Sequence, residues 1–153
     1  MHCVTKASSI PLPKPNTFAG LMELYESNYI RIRKLCNNFK VIDEYTVSRI
    51  RNGLDLHMHV TERTKYTVTI NLSYHFTSKQ ELSDLQHYPN ILIRIYFDAM
   101  QAEVLHRVSK PRHRYSLKNS HWLRQKWTDN RFLFKWLSFC LYQGHRFGAK
   151  NSR

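Results

Sequence analysis

The amino-acid sequence predicts one α+β domain: an antiparallel sheet of four to five strands packed against an N-terminal helix and C-terminal helices. Apolar residues recur at three- and four-residue steps near the start, alternate with polar ones through the middle, and return to helical spacing near the end. The chain has 153 residues, so two domains would each be too small to bury a core unaided. Hydrophobic residues at 42% and aromatic ones at 13% separate it from disordered sequences. We read residues 1–15 as a flexible N-terminal segment, 16–144 as the domain and 145–153 as a frayed basic tail.

Taken in order, Pro11 to Pro15 form an extended lead-in, after which Asn16 or Thr17 caps a helix. Within FAGLMELYESNYIRIRKLC, Phe18, Leu21, Met22, Tyr25, Tyr29, Ile32 and Cys36 make one apolar stripe. Arg31, Arg33 and Lys34 suit the negative end of the helix dipole, and an Asn of CNNF is the expected terminator. Asn52-Gly53 then signals a two-residue hairpin in which both residues take positive φ. That turn sets Val47 opposite Met58 and Tyr45 opposite Val60 on an apolar face, with Thr46, Ser48, Asp55, His57 and His59 on the other. Tyr66, Val68, Ile70, Leu72 and Tyr74 continue the alternation into a third strand.

TSKQELSDLQHYPN reads as a polar loop. Next, Ile91, Ile93, Ile95 and Phe97 keep a period of two, which Met100, Ala102 and Val104 resume in shifted phase. Asp98-Ala99 therefore marks a bulge, a tight turn or a strand-to-helix junction, and we favour strand, irregularity, strand. Beyond the basic connector KPRHRY come Trp122, Leu123 and Trp127, then Phe132, Leu133, Trp136, Leu137, Cys140 and Leu141. These predict the closing helices, with Thr128 or Asp129 as a cap and Gly144 as the stop.

Three blocks, LMELYESNYIRIRKL, RIYFDAMQAEV and NRFLFKWLSFCLYQG, resemble in order and spacing the YqiB-like proteins, a bacterial family of unknown function. The likeness runs from about Leu21 to Gly144. Its residues include Leu21, Met22, Tyr25, Glu26, Asn28 and Tyr29, then Tyr96, Asp98, Ala99, Met100, Ala102, Glu103 and Val104. In the last block they are Asn130, Phe132, Leu133, Trp136, Leu137, Cys140, Leu141 and Gly144. The resemblance implies a small cytoplasmic bacterial protein with no agreed activity, cofactor or catalytic residue. Members usually carry an acidic dipeptide before the last helix, where this chain has Arg124, Gln125 and Lys126. That departure puts any reaction resting on those acids in question.

Net charge is +13, and from Leu105 onward twelve basic residues face one acid, Asp129. Such a one-signed field draws an anionic partner. The candidate polyanion site is Arg107, Lys110, Arg112, Arg114, Lys118, Arg124, Lys126, Arg131 and Lys135, interleaved with Tyr115, Trp122 and Trp127. Cations there neutralise phosphates, and aromatic rings stack on bases. Asp98 and Glu103 are the candidate catalytic carboxylates, against local turn chemistry as the competing account of Asp98. His57 and His59 put two imidazoles on one side of a strand, with His75 or Asp55 as a third metal ligand, against a solvated polar face. Cys3, Cys36 and Cys140 lack metal or disulfide spacing, and the last two sit in apolar stripes.

No phosphate-cradling glycine loop, nucleophile elbow or zinc-helix motif occurs, and no apolar run has the length of a membrane span or a signal-peptide core. The expectation is a cytoplasmic, non-catalytic binding module for RNA, a ribonucleoprotein or another polyanion, with no cofactor and no membrane. A protein–protein adaptor is one alternative. The other is a hydrolase acting on a phosphorylated or nucleotide substrate through Asp98 and Glu103.

Overall fold

The computed structural model describes residues 14–75, 89–108 and 119–148. Five strands form one antiparallel sheet in sequential order: β1 (Tyr45–Ser48), β2 (Asp55–Arg63), β3 (Thr67–His75), β4 (Asn90–Tyr96) and β5 (Gln101–Val108). Helices α1 (Phe18–Leu35) and α2 (Asn119–Gln143) pack on each other and on the sheet. This is the α+β architecture expected from the sequence. Among the described residues, no helix is long and apolar enough to cross a membrane.

The core follows from the two periodicities. Leu56, Met58, Ile70, Leu72, Ile91, Ile93 and Ile95 are fully buried by alternation, and they meet Ile32, Leu35, Leu133, Leu137 and Cys140 from the helices. Each such side chain contributes about 1.5–3 kcal/mol by leaving water. Leu21, Leu24, Tyr25 and Trp127 form a second, smaller apolar cluster from the first halves of both helices. Phe18, Tyr45, Tyr66, Met100 and Trp122, all expected on apolar stripes, lie outside the interior.

The helix ends are built locally. Thr17 caps α1, its Oγ1 accepting from Gly20 N at 3.0 Å while donating to the Lys14 carbonyl at 2.9 Å. The other end does not use an Asn: Cys36 leaves the helix in extended conformation and bridges Phe147 in parallel. Phe147 N–H then takes the otherwise orphaned Leu35 carbonyl at 2.8 Å. At the end of α2, Gly144 has φ +100°. Its N–H bonds the Leu141 carbonyl while His145 N–H bonds that of Cys140, the pattern of a Schellman stop.

That stop turns the chain inward, so the segment expected as a frayed tail is docked at its start. His145 and Phe147 are 0% and 3% exposed. The C-terminal helices are also one: α2 runs unbroken through Thr128 and Asp129. Asp129 does not cap, because Arg107 across the structure and Gln125 one turn earlier already occupy its carboxylate.

The first hairpin differs from expectation by one residue. Tyr45 pairs with His59, Val47 with His57 and Ser48 with Leu56, which turns Tyr45 and Val47 to the polar face and Thr46 and Ser48 toward the core. Only Asn52 of the Asn52-Gly53 pair has positive φ, so the tight two-residue turn does not form. At Gly53 the Ile50 side chain instead lies in the space a Cβ would take. Buried Ser48 favours the observed register by bonding His145 and the Arg146 N–H.

In the stretch around Asp98-Ala99 the expected strand, irregularity and strand are all present. The irregularity is a turn over residues 97–100 with Met100 at φ +54°, and a bulge interrupts the β4–β5 pairing further on, between Leu92 and Ile93. The N-terminal lead-in up to Pro13, the polar loop after β3, the connector holding Lys110, Arg112, Arg114, Tyr115 and Lys118, and the last five residues lie outside the described residues.

Candidate functional site

α2 sorts the basic and aromatic candidates into two groups. Arg124, Thr128, Arg131, Lys135, Phe139 and Tyr142 recur at steps of three or four, so at 3.6 residues per turn they share a sector about 80° wide. All six are exposed, and no acid stands among them. Phe139 keeps 48% and Tyr142 86% of its surface in solvent. Trp122, also exposed, lies on another side of the helix.

Arg107, Lys126 and Trp127 belong to the packing rather than to this exposed face. Trp127 is buried against α1. The Arg107 guanidinium lies 4.4 Å over Phe132, with Nε 3.3 Å from Asp129. Burial pushes the Asp129 carboxyl pKa up, opposed by Arg107, Gln125, Lys126 and His106.

A second constellation sits at the β5 edge of the sheet. The Glu103 carboxylate accepts from Tyr96 Oη at 2.8 Å through Oε1 and from Lys126 Nζ at 2.8 Å through Oε2. Lys126 Nζ also donates to the Val104 carbonyl at 2.7 Å. Asn130 Oδ1 accepts from Val104 N at 3.0 Å, and Asn28 Nδ2 donates to the Asn130 carbonyl at 3.1 Å. Burial raises the Tyr25 phenol pKa, and the nearby Glu103 and Tyr96 add to the shift. The Tyr96 phenol is raised in the same way, by burial and then Glu103, with Arg94 opposing. Both rings therefore stay protonated at neutral pH. With one hydrogen bond on each carboxylate oxygen, Glu103 braces α2 to the sheet. Asp98, its expected partner, is exposed in the β4–β5 turn.

The proposed metal ligands have other partners. His57 Nδ1 is 2.5 Å from Tyr45 Oη, His59 pairs with Glu44 at 3.5 Å and Asp55 with Arg49 at 3.4 Å. The His75 side chain lies outside the described residues. Among the described residues, no three His, Cys, Asp or Glu side chains gather as a metal-binding group. Burial pushes the Cys36 and Cys140 thiols up to about 11 and about 12, so they are core groups rather than nucleophiles.

The model of a protein family of unknown function, DUF1249, matches residues 31–146. The chain belongs to the DUF1249 family. It is 29% identical over 133 residues to the uncharacterized protein YqiB of Escherichia coli strain K12, covering 83% of this chain and 90% of that protein. The YqiB proteins of E. coli O157:H7 and of O6:H1 strain CFT073 match to the same extent. No solved structure matches the chain.

The YqiB-like resemblance thus holds, and the fold brings together polar residues from all three of its blocks. Tyr25 and Asn28 come from the first, Tyr96 and Glu103 from the second and Asn130 from the third. Sequence reasoning did not group them. Two clues were present: Asn28 follows Leu21 and Tyr25 on the buried stripe of α1, and Asn130 lies in phase with Leu133 and Leu137. A fully buried amide at a core phase marks a polar contact across elements. Phe139 and Tyr142 were also passed over, although they fall out of phase with the buried stripe of α2.

Proposed function

We propose that this protein is a non-catalytic binding module for RNA or another polyanion, with the exposed sector of α2 as its binding face. The observation that carries the reading is the one-sided charge of that sector, where Arg124, Arg131 and Lys135 stand with no acid. The exposed acids of the two helices, Glu23 and Glu26, are on α1. A net charge of +13 supplies a long-range field that speeds encounter with anions. Lys110, Arg112, Arg114 and Lys118 precede α2 in sequence and add to the same charge. Catalysis through Asp98 and Glu103 is the weaker reading, because one is exposed in a turn and the other is tied to Tyr96 and Lys126.

The test is fluorescence anisotropy with a labelled RNA oligomer across a salt series. Affinity should fall linearly on logarithmic axes, and R124Q/R131Q/K135Q should bind more weakly with a slope shallower by about 2, at roughly 0.7 per phosphate contact on a single strand. Equal affinity of the triple variant and the wild type at low salt would sink the assignment of this face.

A further inference from the structure

The cationic sector of α2 does not end in cations. One and two turns beyond Lys135 it continues into Phe139 and Tyr142, two rings that the interior does not use. Leu137 and Cys140, their neighbours in sequence, are fully buried on the opposite side of the helix. From Arg124 to Tyr142 the sector runs about 27 Å along the axis, with charge over the first part and flat apolar surface at the end. Cations alone would serve any polyanion. Exposed rings in line with them add a preference for unpaired bases, whose faces a duplex hides in its stack and a base-free polyanion lacks.

We infer that the ligand of this sector is single-stranded RNA, with phosphates on Arg124, Arg131 and Lys135 and unpaired bases stacked on Phe139 and Tyr142. The inference rests on the polyanion reading above and narrows it to one class of substrate. RNA is the natural source, since its loops and ends present unstacked bases to proteins.

The experiment compares three probes on the full-length chain: a single-stranded pyrimidine RNA, an RNA duplex of equal length, and inorganic polyphosphate. The wild type should prefer the single strand. F139A/Y142A should lose about tenfold or more of that affinity, as loss of base stacking costs, while its polyphosphate affinity and salt slope stay unchanged. Tyr142→Phe should retain most of the binding, because the ring and not the hydroxyl does the stacking. Both positions are well exposed, so the substitutions leave the core intact, which a thermal melt checks.

Full single-strand affinity in F139A/Y142A, with binding still lost in R124Q/R131Q/K135Q, would overturn base stacking and leave the polyanion reading standing. Absence of binding to all three probes would overturn both. Salt-insensitive capture of a protein that depends on Phe139 and Tyr142 would assign the rings to a protein partner and likewise overturn the inference.

Discussion

His145 has no exposed surface, and its ring lies between Tyr74, 5.8 Å away between centroids, and Ser48, whose Oγ is 2.8 Å from Nδ1. Burial lowers its pKa below the ordinary 6.5, against the opposing pull of Asp55 and the backbone at Leu54 and Ser48. An imidazole that stays neutral in the fold but takes a proton in the unfolded chain links unfolding to proton uptake. Its stabilising contribution is therefore complete above about pH 6.5 and is lost as pH falls below that value toward the folded pKa. In urea unfolding, the stability advantage of the wild type over His145→Gln should shrink between about pH 7 and about pH 5. A constant difference across that range would rule out this ring as the titrating group.

At the level of elements, β5 is an edge strand whose outward backbone groups would ordinarily invite pairing with another chain. α2 closes that edge at Val104: Asn130 Oδ1 takes the N–H and Lys126 Nζ donates to the carbonyl. Asn130 also holds Asn28 through its own carbonyl, so one residue ties both helices to the strand. Replacing it with Leu keeps the bulk but leaves the Val104 N–H buried without a partner, which costs about 2 kcal/mol. Asn130→Leu should accordingly unfold at lower urea concentration and form more concentration-dependent aggregate than the wild type. Unchanged stability together with unchanged light scattering would refute the closure. The same arrangement explains why Lys126 reads in sequence as part of a basic patch and yet is occupied, since nothing local reveals that Glu103 of β5 lies 2.8 Å from it.

For the molecule as a whole, the C-terminal ends of both helices and the end of β1 are joined by the segment after Gly144. Phe147 bridges Cys36 at the end of α1, while His145 and the Arg146 N–H hold Ser48 at the end of β1. Deleting the chain from His145 onward removes a buried phenyl ring and these bonds, a loss of about 3 kcal/mol. The truncated protein should melt several degrees lower. An unchanged melting temperature would mean that the segment is the dispensable tail its composition suggests.

The sequence by itself determined the class and order of the elements, because periods of 3.6 and 2 reflect which residues must leave water and need no knowledge of their neighbours. It also carried enough of the YqiB-like pattern to point to the family. What only the tertiary structure decided were the partners: the β1 register, set by Ser48 against His145 rather than by Asn52-Gly53; the role of Asp129, satisfied by Arg107 instead of capping a helix; and the division of the basic residues into braces and exposed cations. Each depends on a contact between residues far apart in the chain. A charge reads the same in sequence whether solvent or a buried carboxylate will meet it, and only packing chooses between them.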